Sequence, residues 1–299
     1  MWPRPVAAVT LGDVRLVLAT IAATLVAAPS TLKVDVGEAN YGLAAGGGSV
    51  WVGGLDGGDV VRLDPATGRV LRHVSVGVRV FNLASAPGAV WAVSNVTQTL
   101  ARIDVQTGRV AAIVRVGAAP YDVAWGFGSA WVSNSGDGTV SRVTGNRVVK
   151  TIRVGVEPNG LSAIGRYLWV TDHTLGKLVR IDPRTNRITG SVDLPGADWV
   201  TPAAGSLWVS EETNVVARVD PSTLKVLARV PVERNPLGSA VVGGRLWVPC
   251  IDAGSVVVID PRTAKVGRTF PAGPGPIVVL PAGGRVWVSH STGNAVWRI

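Results

Sequence analysis

The sequence predicts an all-β fold, a seven-bladed β-propeller with four antiparallel strands per blade and a last blade closed by the N-terminal strand. Three observations carry that expectation. Trp51, Trp91, Trp131, Trp169, Trp208, Trp247 and Trp287 are separated by 40, 40, 38, 39, 39 and 40 residues, so seven like units recur. Each of these tryptophans sits in a short alternating segment (SVWVG, AVWAV, SAWVS, YLWVT, SLWVS, RLWVP, RVWVS) with the period-two pattern of a strand. The 37 glycines and 19 prolines among 299 residues favour many turns over long helices.

The elements follow in chain order. Arg4 and Arg15 precede the apolar run Leu16 to Ala28, followed by Pro29, which is the pattern of a secretory signal and too short for a comfortable membrane span. Residues 1–30 are therefore expected to be a signal peptide or N-terminal anchor, and 31–299 the propeller of a secreted or cell-envelope protein. Cleavage near Ser30 and retention as an uncleaved anchor are both open, and the plain alternative is a start codon assigned too far upstream. Some ten residues after each Trp comes a second strand, as in VVRLDP, LVRIDP or VVVIDP. The Asp-Pro-x-Thr-Gly/Asn run that follows (Asp64 to Gly68, Asp182 to Asn186) is turn chemistry: Asp accepts local N–H bonds, Pro presets φ, and Gly or Asn takes positive φ. A further strand and a Pro/Gly-rich loop lead to an apolar segment such as YDVAW, which completes four strands. The seventh unit stops at Ile299 after its third strand, and Thr31 to Gly37 (TLKVDVG) supplies the missing one. Pairing of head with tail removes two sheet edges that would otherwise invite aggregation.

With 47% hydrophobic and 16% charged residues the chain is not disordered, and its single cysteine, Cys250, forms no intramolecular disulfide. Cys250 reads as a small buried hydrophobe. The repeated phrasing VxxIDPxTGxVxxxIxVGxxPxG resembles the YVTN family of β-propellers, and the LWVS segments are similar to the corresponding phrasing of virginiamycin B lyase. The first resemblance implies the fold, on a scaffold that hosts binding, assembly and catalysis alike. The second implies a lactone-opening elimination in which a His at the start of an inner strand and a Glu after a Trp strand act with magnesium. Here the nearest match is Glu157-Pro158-Asn159-Gly160 with Asp172 and His173, where Asn159 stands in place of the base. Glu211 and Asp198 hold the related positions of blade five. If the chain is a lyase, Asp172, His173, Asp198 and Glu211 are its catalytic residues.

A chain that enters each blade at the axis and works outward places two sets of loops on one face, the top. That face collects Glu38, Asp56, Asp122, Asp137, Glu157, Asp172, Asp198, Glu211, Glu212, Glu233 and Asp252 against Arg79, Arg234 and Lys177, and should be acidic. The net charge of +9 then resides on rims and bottom. There Arg62, Arg102, Arg142, Arg180, Arg218 and Arg298 recur with the blade period, spaced around the ring in place of one basic patch with interleaved aromatics. Nucleic-acid binding is not expected, and a weak attraction to an anionic envelope surface is the most this charge implies.

Ten residues before each repeat Trp stand Tyr41, Phe81, Tyr121, Asn159, Asp198, Leu237 and Ile277, with Trp199 adjacent. Tyr41, Phe81, Tyr121, Asn159, Asp198 and Trp199 are the candidate ligand-binding set, able to stack on a planar ligand or a sugar. The other reading is that the rings fill the axis. Three residues after each Trp the series is Gly54, Ser94, Asn134, Asp172, Glu211, Cys250 and His290. Asp172, Glu211, Cys250 and His290 are candidate ligands for a possible divalent metal, without the local spacing of a strong metal motif; no other cofactor is implied. The leading expectation is a monomer that binds a small molecule or protein at an acidic, half-aromatic top face without chemistry of its own. A virginiamycin-type lyase or hydrolase and an assembly module without a small-molecule site are the alternatives.

Overall fold

The computed structural model describes residues 31–299; the expected signal or anchor, 1–30, lies outside the described residues. Within 31–299, 28 strands form seven separate four-stranded antiparallel sheets. The first strands of the sheets touch in circular order, from Asn40–Gly46 of blade one to Pro276–Ala282 of blade seven and back again. Among the described residues no helix is long and apolar enough to cross a membrane.

Closure follows the sequence expectation. Leu32–Asp35 pairs antiparallel with Ala295–Arg298, in the register Leu32 to Arg298 and Asp35 to Ala295. The Val36 N–H donates to the Asn294 carbonyl at 2.8 Å. Val34 and Val36 are buried with Val296, Trp287 and Leu63, so the latch is held by core packing as well as by its ladder.

Each Trp packs its own blade on the next. Trp51 lies with Leu83, Val90 and Ala92 of blade two, Trp131 with Leu161, Leu168 and Val170 of blade four, and Trp169 with Val200, Leu207 and Val209 of blade five. A second stitch is polar. A bulge at the start of most first strands breaks the regular register. The freed carbonyls of Asn159, Asp198 and Leu237 accept hydrogen bonds from Ser133 Oγ, Thr171 Oγ1 and Ser210 Oγ of the preceding blade, at 2.6, 2.7 and 3.0 Å.

The periodic arginines form a third stitch. On the third strands Arg62, Arg102, Arg142, Arg180, Arg218 and Arg298 stand directly opposite a repeat tryptophan. The guanidinium of Arg142 lies 4.7 Å from the Trp131 ring centre, and that of Arg62 lies 5.1 Å from Trp51. Beyond the ring four of these side chains reach the Asp-Pro-x-Thr turn of the following blade. Arg142 donates to the Pro183 carbonyl (2.7 Å), Arg180 to that of Pro221 (3.2 Å) and Arg218 to that of Arg262 (3.4 Å). Arg298 donates to Pro65 (3.3 Å), so the clasp is repeated across the closure. The turns it grips are rigid: Asp64 Oδ1 accepts the N–H groups of Ala66 and Thr67, and those bonds hold its carboxyl below the usual carboxylate range.

Candidate functional site

At the end of the propeller where the first strands begin, side chains from six blades meet on the axis. Tyr41, Leu237 and Ile277 belong to one buried cluster, against which Phe81, Tyr121 and Trp199 pack. Phe81 packs on both tyrosines, its ring centre 4.9 Å from Tyr41 and 5.2 Å from Tyr121, and the tyrosine hydroxyls are 2.6 Å apart. Axial packing is thus one thing these rings do; Phe81, Tyr121 and Trp199 keep partial exposure. Burial, reinforced by the Asp198 charge, drives the Tyr41 hydroxyl far above the ordinary phenol range.

Around this aromatic cap lie carboxyl groups that the sequence placed on solvent-facing loops. Asp122 is only 3% exposed. It accepts N–H bonds from Val123 and Leu161 at 2.7 Å each, and from the Asn82 amide at 2.7 Å. Burial outweighs these donors and pushes its pKa up to about 7. Asp198, 6% exposed, accepts from the Asn159 amide at 3.2 Å, and its pKa is pushed up to about 6 by burial. Asn159 is therefore a donor to a neighbouring carboxyl, 39 residues along the chain.

Where blades four and five meet, His173 sits between carboxylates. Its Nε2 is 3.0 Å from Glu212 Oε2 and its Nδ1 3.4 Å from Glu157 Oε2. Burial opposes its charge, but Glu212, Asp198 and Glu157 together raise its pKa above the ordinary imidazole value. A charged His173 leaves Glu157, Glu212 and Asp198 with a net negative balance, and the partly exposed Trp199 follows Asp198 along the chain. That combination suits the recognition of a cation.

The four candidate metal ligands do not converge. Asp172 is fully buried, and its carboxylate accepts the backbone N–H groups of Val156 (2.7 Å), Glu157 (3.3 Å) and Leu175 (2.9 Å). It caps the loops that flank its own strand. Glu211 forms an ion pair with Arg229 of the same blade at 2.5 Å; burial still raises its pKa against that partner. Cys250 is buried, and burial pushes its thiol up to about 12. His290 Nε2 lies 2.7 Å from the Ala272 carbonyl, its ring packs on Trp297, and burial lowers its pKa. Among the described residues no group of three or more His, Cys, Asp or Glu side chains is placed to hold a metal ion. Ser94 and Asn134, at the same position in blades two and three, also bind the loop before their blade, through the N–H groups of Val78 and Gly117. Of the four residues proposed for lyase chemistry, His173 and Asp198 influence each other's charge, while Asp172 and Glu211 are held by the partners just given.

Comparison with known proteins agrees on the architecture. Residues 18–160, just under half of the chain, are similar to a family described as a repeat of unknown function, DUF6923. No curated protein matches the chain. Among solved structures it resembles a chain of hydrazine synthase from Kuenenia stuttgartiensis, with a TM-score of 0.78 at 16% identity, over 90% of this chain and 97% of that one. The β-propeller domain of Cps50 (Swd1) from Myceliophteria thermophila gives 0.75 at 14% identity, covering 90% and 99%. A computationally designed protein, Ika8, gives 0.65 at 14%, covering 89% and 99%. At such identities the likeness is one of fold, and the class it defines is the seven-bladed β-propeller.

Proposed function

We propose that the protein is an exported binding propeller that takes a cationic ligand, or a basic segment of a partner protein, at the end of the ring where blades four and five meet. The observation that carries this reading is the placement of His173 between Glu157 and Glu212 and near the buried Asp198, which the partly exposed Trp199 follows along the chain. A chain of net charge +9 repels cations as a whole, so cation binding at this end would be the work of a local cluster and not of the general field. The N-terminal apolar run supports export.

The test is calorimetric titration of the protein with a tetralysine peptide at low, constant ionic strength. Glu157→Gln combined with Glu212→Gln should weaken binding about tenfold, and Trp199→Ala about threefold. Absence of binding to the unaltered protein, or equal binding by the charge-neutralised variant, would remove the reading.

A further inference from the structure

The arginine clasp joins blade three to four, four to five, five to six and seven to one; blade six carries Val258 in the arginine's place, Arg62 turns to Ser49 and Gly47 of its own blade, and between blades two and three the receiving turn itself is shortened. The turn that Arg102 should grip belongs to blade three, and there the Asp-Pro-x-Thr run is replaced by the short link Gly145-Asn146, with Thr144 paired directly to Arg147. In blade four the equivalent pair, Asp182 and Arg187, is joined by four residues. The carbonyls that receive Arg142, Arg180, Arg218 and Arg298 elsewhere are therefore missing. The partner for the guanidinium Nε is missing as well. Arg62, Arg142 and Arg218 use Ser49, Ser129 and Ser206, whereas blade two carries Ala89 at that position. Among the described residues Arg102 thus stands apart from the other third-strand arginines in having no hydrogen-bond partner.

The space left open is a cavity of about 150 Å³ lined by Ala86, Pro87, Ala89, Trp91, Arg102 and Trp125, with Gly145 at its edge. Trp125 stacks on Trp91, their rings 6.4 Å apart and 13° from parallel. Trp91 is 3% exposed, and its indole N–H has no acceptor. In blades one, three and five the corresponding N–H donates to Gly46, Gly126 and Ala203 carbonyls, whereas those of Trp169 and Trp287, like that of Trp91, have no acceptor. The nearby Asp104 turns its Oδ1 to the N–H groups of Gln106 and Thr107; the charge of Arg102 adds to these bonds in lowering its pKa, but no hydrogen bond joins the two side chains.

We infer that this inter-blade cavity binds a small planar carboxylate, held by the Arg102 guanidinium against the Trp125 ring, with the indole of Trp91 stacked behind it. A carboxylate offers two coplanar acceptors to the guanidinium fork and replaces the backbone carbonyls that the shortened turn took away. A cavity of this volume accommodates about one six-membered ring, which sets the size of the ligand's apolar part.

Benzoate is the probe, followed by calorimetry and by the indole N–H resonance of Trp91 at constant ionic strength. Binding to the unaltered protein with a shift of that resonance is expected, with benzamide, its neutral isostere, at least about tenfold weaker. Arg102→Gln should weaken benzoate about tenfold or more, whereas Arg142→Gln, at an occupied clasp, should leave it unchanged. A second variant restores the turn: Thr144→Asp with Gly145-Asn146 replaced by Pro-Arg-Thr-Asn, the sequence of blade four. It returns carbonyls to Arg102 and should abolish benzoate binding in a folded protein. No benzoate binding to the unaltered protein, equal binding of benzamide, or undiminished binding by Arg102→Gln would each overturn the inference.

Discussion

Replacing Asp172 by alanine separates a loop latch from a metal ligand. The carboxylate is fully buried and accepts three backbone N–H groups, from Val156, Glu157 and Leu175. Truncation leaves those donors without a partner in a partly enclosed loop. At about 1 kcal/mol per donor, the lower part of the range for an unsatisfied buried group, the loss is about 3 kcal/mol. For a domain of this size each kcal/mol lowers Tm by roughly 2–4 °C, so a fall of roughly 6–12 °C is expected. Differential scanning fluorimetry with and without magnesium or zinc measures it. The latch account requires the same fall in both conditions and no metal-induced rise in the unaltered protein. A metal-dependent rise that Asp172→Ala abolishes, or an unchanged Tm in the variant, would refute the reasoning.

Two further outcomes follow from the same structure. Asp198 has its pKa raised by burial to about 6, so the native state holds its proton more tightly than the unfolded chain does. Its contribution to stability is complete below the ordinary aspartate pKa and is lost as pH rises towards about 6, a change of order 2–3 kcal/mol. Asp198→Asn should lessen the fall in urea-denaturation stability across that window, the remainder belonging to Asp122; an unaltered slope would show that Asp198 titrates normally. Val34→Asp puts an unpaired charge into the buried face of the closing strand and should cost more than about 3 kcal/mol, with self-association through the freed edge seen by size-exclusion chromatography. Lys33→Ala, on the exposed face of the same strand, should cost at most about 1 kcal/mol; equal effects of the two would mean the strand is not latched.

The architecture was legible because one blade contains everything needed to pack on the next. A repeat tryptophan marks every blade, its opposed arginine and the Asp-Pro turn recur in most, and the head-to-tail latch followed from a unit that stopped one strand short. The axial aromatics were legible too, since first-strand starts must face the centre of a ring. Other parts were hidden by the same column-by-column reading. Asp172, Cys250 and His290 share a sequence column, yet each side chain at a strand end turns to its own surroundings. The bond of Asn82 to Asp122 joins blades 40 residues apart, and Asp122 read as a loop acid because nothing local announces its burial. The pairing of Arg229 with Glu211 also spans two strands of one blade without a motif. Only the gap at Arg102 left a trace, the 38-residue interval between Trp131 and Trp169 and the absent Asp-Pro of that unit.

Hydrogen exchange of the protein with and without tetralysine tests the central functional claim most directly. The account predicts slowed exchange in 155–160, 172–177, 196–200 and 211–214, with the turns at 64–68, 104–108 and 182–186 unchanged. Protection confined to those opposite turns, or spread evenly over both ends of the ring, would contradict it.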